Sequence, residues 1–390
     1  MKSSTFTGLA GLAGIASAEV AAWYQCGGND FSGETKCTEG YTCQYWNEWY
    51  SQCIPITGIS SAASGKAKFA GVNIAGFDFG CDTSGDCVTS STYDIVANGN
   101  GIAQMDHFIS DTGLNAFRLP VGWQYLTNTV VGGDLDATNA GEYDKLVQGC
   151  LDSGAALCII DIHNYARWNG QIIGQGGPTN AQFAALWTSL ATKYASESKI
   201  AFGIMNEPHD LSSIDTWAET VQAVVTAIRE AGATSQYILL PGTDYTSAAS
   251  FIDNGSGAAL MTVTNPDGTT DKLIFDVHKY LDSDGSGTST ECVTNNIDSA
   301  FSPLATWLRS NGRMAFTSET GGGNTASCVQ YLREELDYIN ENSDVYLGYT
   351  AWAAGGFDTS YALSETPTLS GSTWTDMEIV TQCVAASWLA

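Results

Sequence analysis

Eight apolar runs recur along the chain from residue 69 onward. They are FAGVNIAGF (69–77), AFRLP (116–120), ALCIIDIH (156–163), IAFGIMNE (200–207), YILLP (237–241), LIFDVHKY (273–280), MAFTSET (314–320) and YLGYTAW (346–352). A near-continuous apolar run, without strict alternation, marks a strand covered on both faces. Helical patterns lie between the runs. The clearest are TNAQFAALWTSLATKYASES (179–198) and SIDTWAETVQAVVTAIREAG (213–232), with apolar residues near i, i+3, i+4 and i+7. Ser213 stands where an N-cap belongs and Gly232 where a left-handed C′ residue belongs. Eight strand–helix units over this length predict an α/β chain closed into a (β/α)8 barrel. A doubly wound open sheet is the alternative, but no G-x-G-x-x-G follows an early strand.

The runs end in polar residues of a particular kind. In a barrel of this type, chemistry collects at the carboxyl ends of the strands. Reading only those ends yields Arg118, His163 with Asn164, Asn206 with Glu207, His278 with Tyr280, Glu319, and Trp352. Singly, each has an ordinary explanation as an ion-pair partner, a satisfied buried histidine or packing. Jointly, they would line one mouth. Glu207 ends the fourth run and Glu319 the seventh, which places their tips across the barrel from one another. Two carboxyl groups about 5–5.5 Å apart are what retaining glycoside hydrolysis requires. Arg118 and Tyr280 are suited to keep one carboxylate ionised. Asn206 is suited to hold a sugar 2-hydroxyl, and Trp352 offers a flat face to a pyranose ring.

Composition narrows the partners. Lys and Arg number 15 against 42 Asp and Glu, a formal charge of −27, and only 15% of residues are charged. Such an acidic excess argues against nucleic acid and anionic membranes as partners, whereas a neutral polymer is compatible with it. The first residues, MKSSTFTGLAGLAGIASAEV, read as a signal peptide over 1–21, and eleven cysteines agree with an oxidising compartment. The expected location is therefore extracellular. A small module is expected over 22–54, a polar linker over 55–67 and the barrel over 68–390. The module is too short to bury a core and needs crosslinks. Its four cysteines, Cys26, Cys37, Cys43 and Cys53, allow three pairings. It also carries more aromatic rings than it can bury, so some must form an exposed face.

The strings GVNIAGFDFGC, FRLPVGWQYL, DIHNYARWNG, GIMNEPHD, FDVHKYLDSD and ETGGGN resemble secreted fungal endo-β-1,4-glucanases of glycoside hydrolase family 5. The resemblance implies Glu207 as acid/base, Glu319 as nucleophile, and Arg118, His163, Asn206, His278, Tyr280 and Trp352 as the supporting set. It implies a retaining mechanism using neither metal nor cofactor, acting on cellulose and related β-glucan chains; the chain is expected to be a monomer. Trp168 is a further sugar platform or a packing residue. The segment WYQCGGNDFSGETKCTEGYTCQYWNEWYSQC (23–53) resembles the family 1 carbohydrate-binding modules. That likeness implies the pairs Cys26–Cys43 and Cys37–Cys53, a flat strip of Trp23, Trp49 and Tyr50, and hydrogen bonds to sugar from Asn47 and Gln52. Tyr24 departs from it, standing where a glycine is usual.

In the barrel the expected bridges are Cys81–Cys87, Cys150–Cys158 and Cys292–Cys328, leaving Cys383 as a buried free thiol. DSDGSG (282–287) begins like a calcium loop, but Val293 occupies the twelfth position, where a bidentate glutamate is needed. Neither H-E-x-x-H nor G-x-S-x-G occurs. The functional alternatives are a β-mannanase or mixed-linkage β-glucanase on the same barrel, or a non-catalytic carbohydrate-binding protein.

Overall fold

The computed structural model describes residues 20–21, 24–38, 41–47, 49–55 and 66–390. The expected signal peptide and linker fall almost wholly outside these residues, as does Trp23. The chain divides into two compact units, 1–60 and 61–390.

In the first unit, β1 (Gln25–Gly27), β2 (Tyr41–Asn47) and β3 (Tyr50–Pro55) form an antiparallel sheet in the order β1-β3-β2. Two bridges, Cys26–Cys43 and Cys37–Cys53, cross it. They supply the constraint that so small a core cannot.

The second unit is a closed barrel of eight parallel strands. They are β4 (Phe69–Ala75), β5 (Ala116–Val121), β6 (Leu157–Ile162), β7 (Ile200–Gly203), β8 (Tyr237–Pro241), β9 (Leu273–His278), β10 (Ala315–Glu319) and β11 (Tyr346–Gly355). At least one helix follows each strand, the main ones being α1 (Gly101–His107), α2 (Asn139–Asp152), α3 (Asn180–Lys193), α4 (Ile214–Glu230), α5 (Ser256–Leu260), α6 (Ser302–Asn311), α7 (Ala326–Glu341) and α8 (Ala385–Leu389), with single turns at Ile95–Asn98 and Trp123–Leu126. Local chemistry sets the helix ends. Thr179 and Gln182 form a reciprocal capping box on α3, and the Ser213 hydroxyl accepts the Thr216 N–H at 3.1 Å on α4. Gly232 turns out of α4 at φ +93°, a conformation that costs glycine little.

Two apolar layers hold the barrel. Phe69, Leu157, Ile159, Leu239, Phe316 and their neighbours form one buried cluster, while a much larger one joins the strands to the helices. Because the lower interior is filled with side chains, ligands must meet the protein at the open rim.

The fourth strand is shorter than its apolar run suggests. β7 stops at Gly203, and residues 204–206 continue as buried irregular chain, anchored by the Asn206 N–H on the Ile162 carbonyl at 2.8 Å. Glu207 then takes a left-handed conformation, φ +42°. The acid is therefore delivered by a turn rather than by the strand itself.

Cys81–Cys87, Cys150–Cys158 and Cys292–Cys328 are bridged, and Cys383 is buried and free. Burial pushes its thiol up to about 12, and its Sγ lies 3.2 Å from the Val329 carbonyl oxygen, so it packs as an inert small group. Asp282 satisfies its own loop, accepting N–H groups from Gly287, Thr288 and Ser289. No helix among the described residues is long and apolar enough to cross a membrane.

Candidate active site

The carboxyl ends of the strands converge on one buried guanidinium. Arg118, on β5, is fully buried. Its Nη1 donates to Asn73 Oδ1 at 2.9 Å and to Glu319 Oε1 at 2.5 Å, and its Nη2 donates to Asn206 Oδ1 at 2.7 Å. Nη2 also lies 3.0 Å from Asp161 Oδ1, an ion pair that does not meet hydrogen-bond geometry. Burial opposes its charge, but the surrounding acids Asp161, Glu319 and Asp276 outweigh that cost and hold it cationic.

Glu319 ends β10 almost fully buried. Oε1 takes the Arg118 bond, Oε2 accepts the Tyr280 hydroxyl at 2.7 Å, and His278 Nδ1 stands 3.6 Å from Oε2. Burial alone would raise its carboxyl. His278, Arg118, His163 and the Tyr280 hydrogen bond pull it the other way, to about 2. Glu207 meets the same histidine, its Oε1 lying 2.8 Å from His278 Nδ1. One oxygen of Glu207, one of Glu319 and a ring nitrogen of His278 all fall within 4.8 Å of one another. Of the two acids, Glu207 has the more accessible side chain, at 15% against 5%.

The histidines are held from behind. His278 Nε2 lies 2.8 Å from Ser318 Oγ, and His163 Nδ1 lies 2.9 Å from Asp161 Oδ2. Burial works against charging either ring, and the neighbouring carboxylates overcome it, so both titrate above the ordinary histidine range. Trp352 stacks on His163 at 5.4 Å, and its Nε1 donates to the Tyr361 hydroxyl at 3.2 Å. The Trp352–Ala353 peptide is cis. The glycines of ETGGGN let the chain pass the Cys292–Cys328 bridge, because a Cβ on Gly322 would meet Cys292 Sγ at 2.4 Å.

The trio Glu207, His278 and Glu319 is compact enough to hold a cation. Its charge is already matched, however. Arg118 is hydrogen-bonded to Glu319, and His278 bridges the two acids.

The structure thus brings Arg118, His163, Asn206, Glu207, His278, Tyr280, Glu319 and Trp352 together. Trp168 is not among them. Its ring meets Trp123 edge-on at 4.9 Å and lines a separate groove with Val131, Asn169, Gln171 and Gln182. In the small unit, Trp49 is 61% exposed and Tyr24 68%, while Tyr50 and Gln52 are half-buried. The side chain of Asn47 lies outside the description.

Several residues of the site were hidden by their context. Asn73, Asp161 and Asp276 sit inside apolar runs, and Asp161 and Asp276 each lie two positions before a site histidine, hence on the same face of the strand. An arginine buried at Arg118 was the signal that acids must lie near. Tyr245, in the loop after β8, is 43% exposed and stacks on His209 at 4.5 Å with the planes 4° apart. Tyr165 packs edge-on against both His163 and His209, completing an aromatic wall beside Glu207. No local pattern distinguishes Tyr245 from an ordinary loop tyrosine.

Two carboxyl groups within one glycosidic bond's reach, on opposite sides of a (β/α)8 mouth, are the architecture of a barrel glycosidase. The chain belongs to glycosyl hydrolase family 5: the family model described as Cellulase (glycosyl hydrolase family 5) matches residues 72–355. A second model, Fungal cellulose binding domain, matches residues 22–50. Among curated relatives, Endoglucanase EG-II of Hypocrea jecorina is 58% identical, the match covering 96% of each chain. Endoglucanase 1 of Saitozyma flava is 53% identical, over 77% of this chain and 85% of its own. The crystal structure of Cel5A (EG2) from Hypocrea jecorina superposes with a TM-score of 0.80 at 64% identity, covering 82% of this chain and 98% of that one.

Proposed function

We propose that this protein is a secreted endo-β-1,4-glucanase that cleaves internal bonds of cellulose by double displacement. Glu319 acts as nucleophile and Glu207 as acid/base. The observation that carries this reading is the unequal treatment of two acids within 4.8 Å of each other. Glu319 is pinned ionised by Arg118 and Tyr280, whereas Glu207 is the more open to the mouth. In the first step a Glu319 oxygen bonds to the anomeric carbon while Glu207 protonates the departing glycosidic oxygen. In the second, Glu207 takes a proton from water, which displaces Glu319 from the same carbon.

Asn206 is suited to the sugar. Its Oδ1 is held by Arg118, while its buried Nδ2 has no partner among the described residues, leaving an N–H for a 2-hydroxyl. A contact of that kind strengthens in the transition state. Trp352, backed by His163, supplies the flat face. The curated relatives carry the name endoglucanase, which favours cellulose over mannan. The match of residues 22–50 to a cellulose-binding domain supports the same substrate, and five disulfides support an extracellular location.

Proton NMR of cellopentaose hydrolysis tests the chemistry. The first product signals should be β-anomers at the new reducing end, decaying later to the mutarotation mixture. α-Anomers appearing first would rule out double displacement, and faster turnover of a soluble mannan derivative would rule out the substrate. The small unit has its own test. Trp49→Ala should weaken retention on microcrystalline cellulose by about 1–2 kcal/mol, roughly five- to thirtyfold, with soluble-substrate kcat unchanged. Unchanged retention would remove Trp49 from the binding strip.

A further inference from the structure

A further carboxyl reaches the residue after Glu319 from the neighbouring helix. Glu335, on α7, is completely buried, and both its oxygens are in use. Thr320 Oγ1 donates to Oε1 at 2.5 Å, and Asn296 Nδ2 donates to Oε2 at 3.2 Å. Neither partner is incidental to the site. Thr320 directly follows Glu319, and its carbonyl accepts the Trp352 N–H at 2.8 Å. Asn296 Nδ2 also donates to the Tyr280 carbonyl at 3.1 Å, and the Tyr280 hydroxyl is the one bound to Glu319. Asn296 is itself held at φ +55°, so its reach toward Glu335 and Tyr280 comes from a constrained turn. A single buried side chain therefore ties together the backbones that carry Glu319, Trp352 and Tyr280.

Packing alone does not explain a carboxyl there. A buried acid with two uncharged donors is costly compared with an apolar side chain of similar size. Nothing in the cleavage chemistry uses it either, because its oxygens meet Thr320 and Asn296 rather than Glu207 or Glu319.

We propose that Glu335 is a positioning residue, setting the spacing of Glu319, Tyr280 and Trp352 through Thr320 and Asn296. The inference rests on the assignment of Glu319 as nucleophile. Burial pushes the Glu335 carboxyl up to about 8, overriding the Thr320 and Asn296 hydrogen bonds. Lys279, just after β9, and Tyr346, on β11, are the ionisable side chains that bear on it. At acidic and neutral pH it is therefore a neutral acid with one O–H to give, and glutamine is its isostere. The Thr320 hydroxyl can rotate to accept from either.

The test uses 2,4-dinitrophenyl 2-deoxy-2-fluoro-β-cellobioside on the full chain. A Glu319 oxygen forms a bond to the anomeric carbon, the carbon–oxygen bond to the aryl group breaks, and dinitrophenolate leaves with the electron pair. No acid is required, so the inactivation rate reads nucleophile placement and the half-saturating concentration reads binding. Glu335→Leu should slow the inactivation rate constant about ten- to a hundredfold, with half-saturation within threefold, as expected for a misplaced reacting group. Glu335→Gln should stay within threefold of the parent at pH 5.

A stability readout accompanies this. The folded chain keeps a Glu335 proton that the unfolded chain gives up near pH 4.5. This contribution is therefore full below that pH and is lost as pH rises toward about 8. Glu335→Gln should flatten that part of the melting-temperature profile. If Glu335→Leu fails to fold, Thr320→Val, which removes the hydroxyl partner and keeps the branched shape, should show the same selective slowing. Labelling of Glu319 at the parental rate in Glu335→Leu or Thr320→Val overturns the inference alone. Label on another residue of the parent overturns the assignment of Glu319, and the inference with it.

Discussion

Glu319→Ala is expected to lower kcat on cello-oligosaccharides by on the order of 10⁴–10⁶-fold, because the covalent route disappears with its nucleophile. The fold should survive. Arg118 loses one partner but keeps Asn73, Asn206 and Asp161, so its charge stays paired. The cost should be about 1–3 kcal/mol, the range for a buried hydrogen-bonding group left short of one partner. The cavity also makes room for a small anion. With added azide and an activated aryl cellobioside, the variant should form the α-glycosyl azide, since azide attacks from the face Glu319 occupied. The acid side of the parental pH profile carries the same signature. Its carboxyl is drawn down to about 2, so the stabilisation from its ion pair is full above the ordinary carboxylate range and is lost only as pH falls through that value. Retention of a tenth or more of parental turnover in Glu319→Ala would end the double-displacement reading.

Glu207→Ala is expected to act selectively. Protonating an unactivated sugar leaving group is worth about 10²–10⁴-fold, so hydrolysis of cellopentaose should fall by that factor. A dinitrophenyl cellobioside needs no such help, and its first step should be nearly spared. Its glycosyl-enzyme then accumulates, because no base activates water. Steady-state turnover should be preceded by a burst of dinitrophenolate, and azide should restore turnover with a β-glycosyl azide as product. His278 would keep Ser318 on one side and approach Glu319 on the other, so the ring has support after its Glu207 bond is gone. An equal loss on both substrates, without a burst, would instead mean that Glu207 only shapes the pocket.

Much of this was legible along the chain, and the reasons are local. Strands of a parallel barrel are covered on both faces, which forces the apolar runs that mark all eight. Helix ends need a cap acceptor and a left-handed exit, and Ser213 and Gly232 supply them on α4. Where reading failed, the deciding contact was distant. IAFGIMNE looks like one strand, yet β7 ends at Gly203, and the chain then swings out to present Glu207 from a turn. Asp161 passed as part of an apolar stretch because its partner Arg118 belongs to another strand. For Trp168 the order of residues left platform and packing open, and its edge-on contact with Trp123 appears only in the folded chain. Glu335 drew no notice in the sequence, because its partners Thr320 and Asn296 lie 15 and 39 residues away along the chain.

The amino-acid order by itself determined the inventory: which side chains stand at strand ends, how strand and helix alternate, and a disulfide-dependent module ahead of the barrel. Only the closed barrel decided distance and charge state. Glu207 and Glu319 come within 4.8 Å because every strand around the ring must register with its neighbours before the last can pair with the first. The separate roles proposed for them rest on that closure, because Arg118, Tyr280 and His278 approach the two acids unequally from different parts of the chain, and an electrostatic field depends on positions in space rather than on order along a chain.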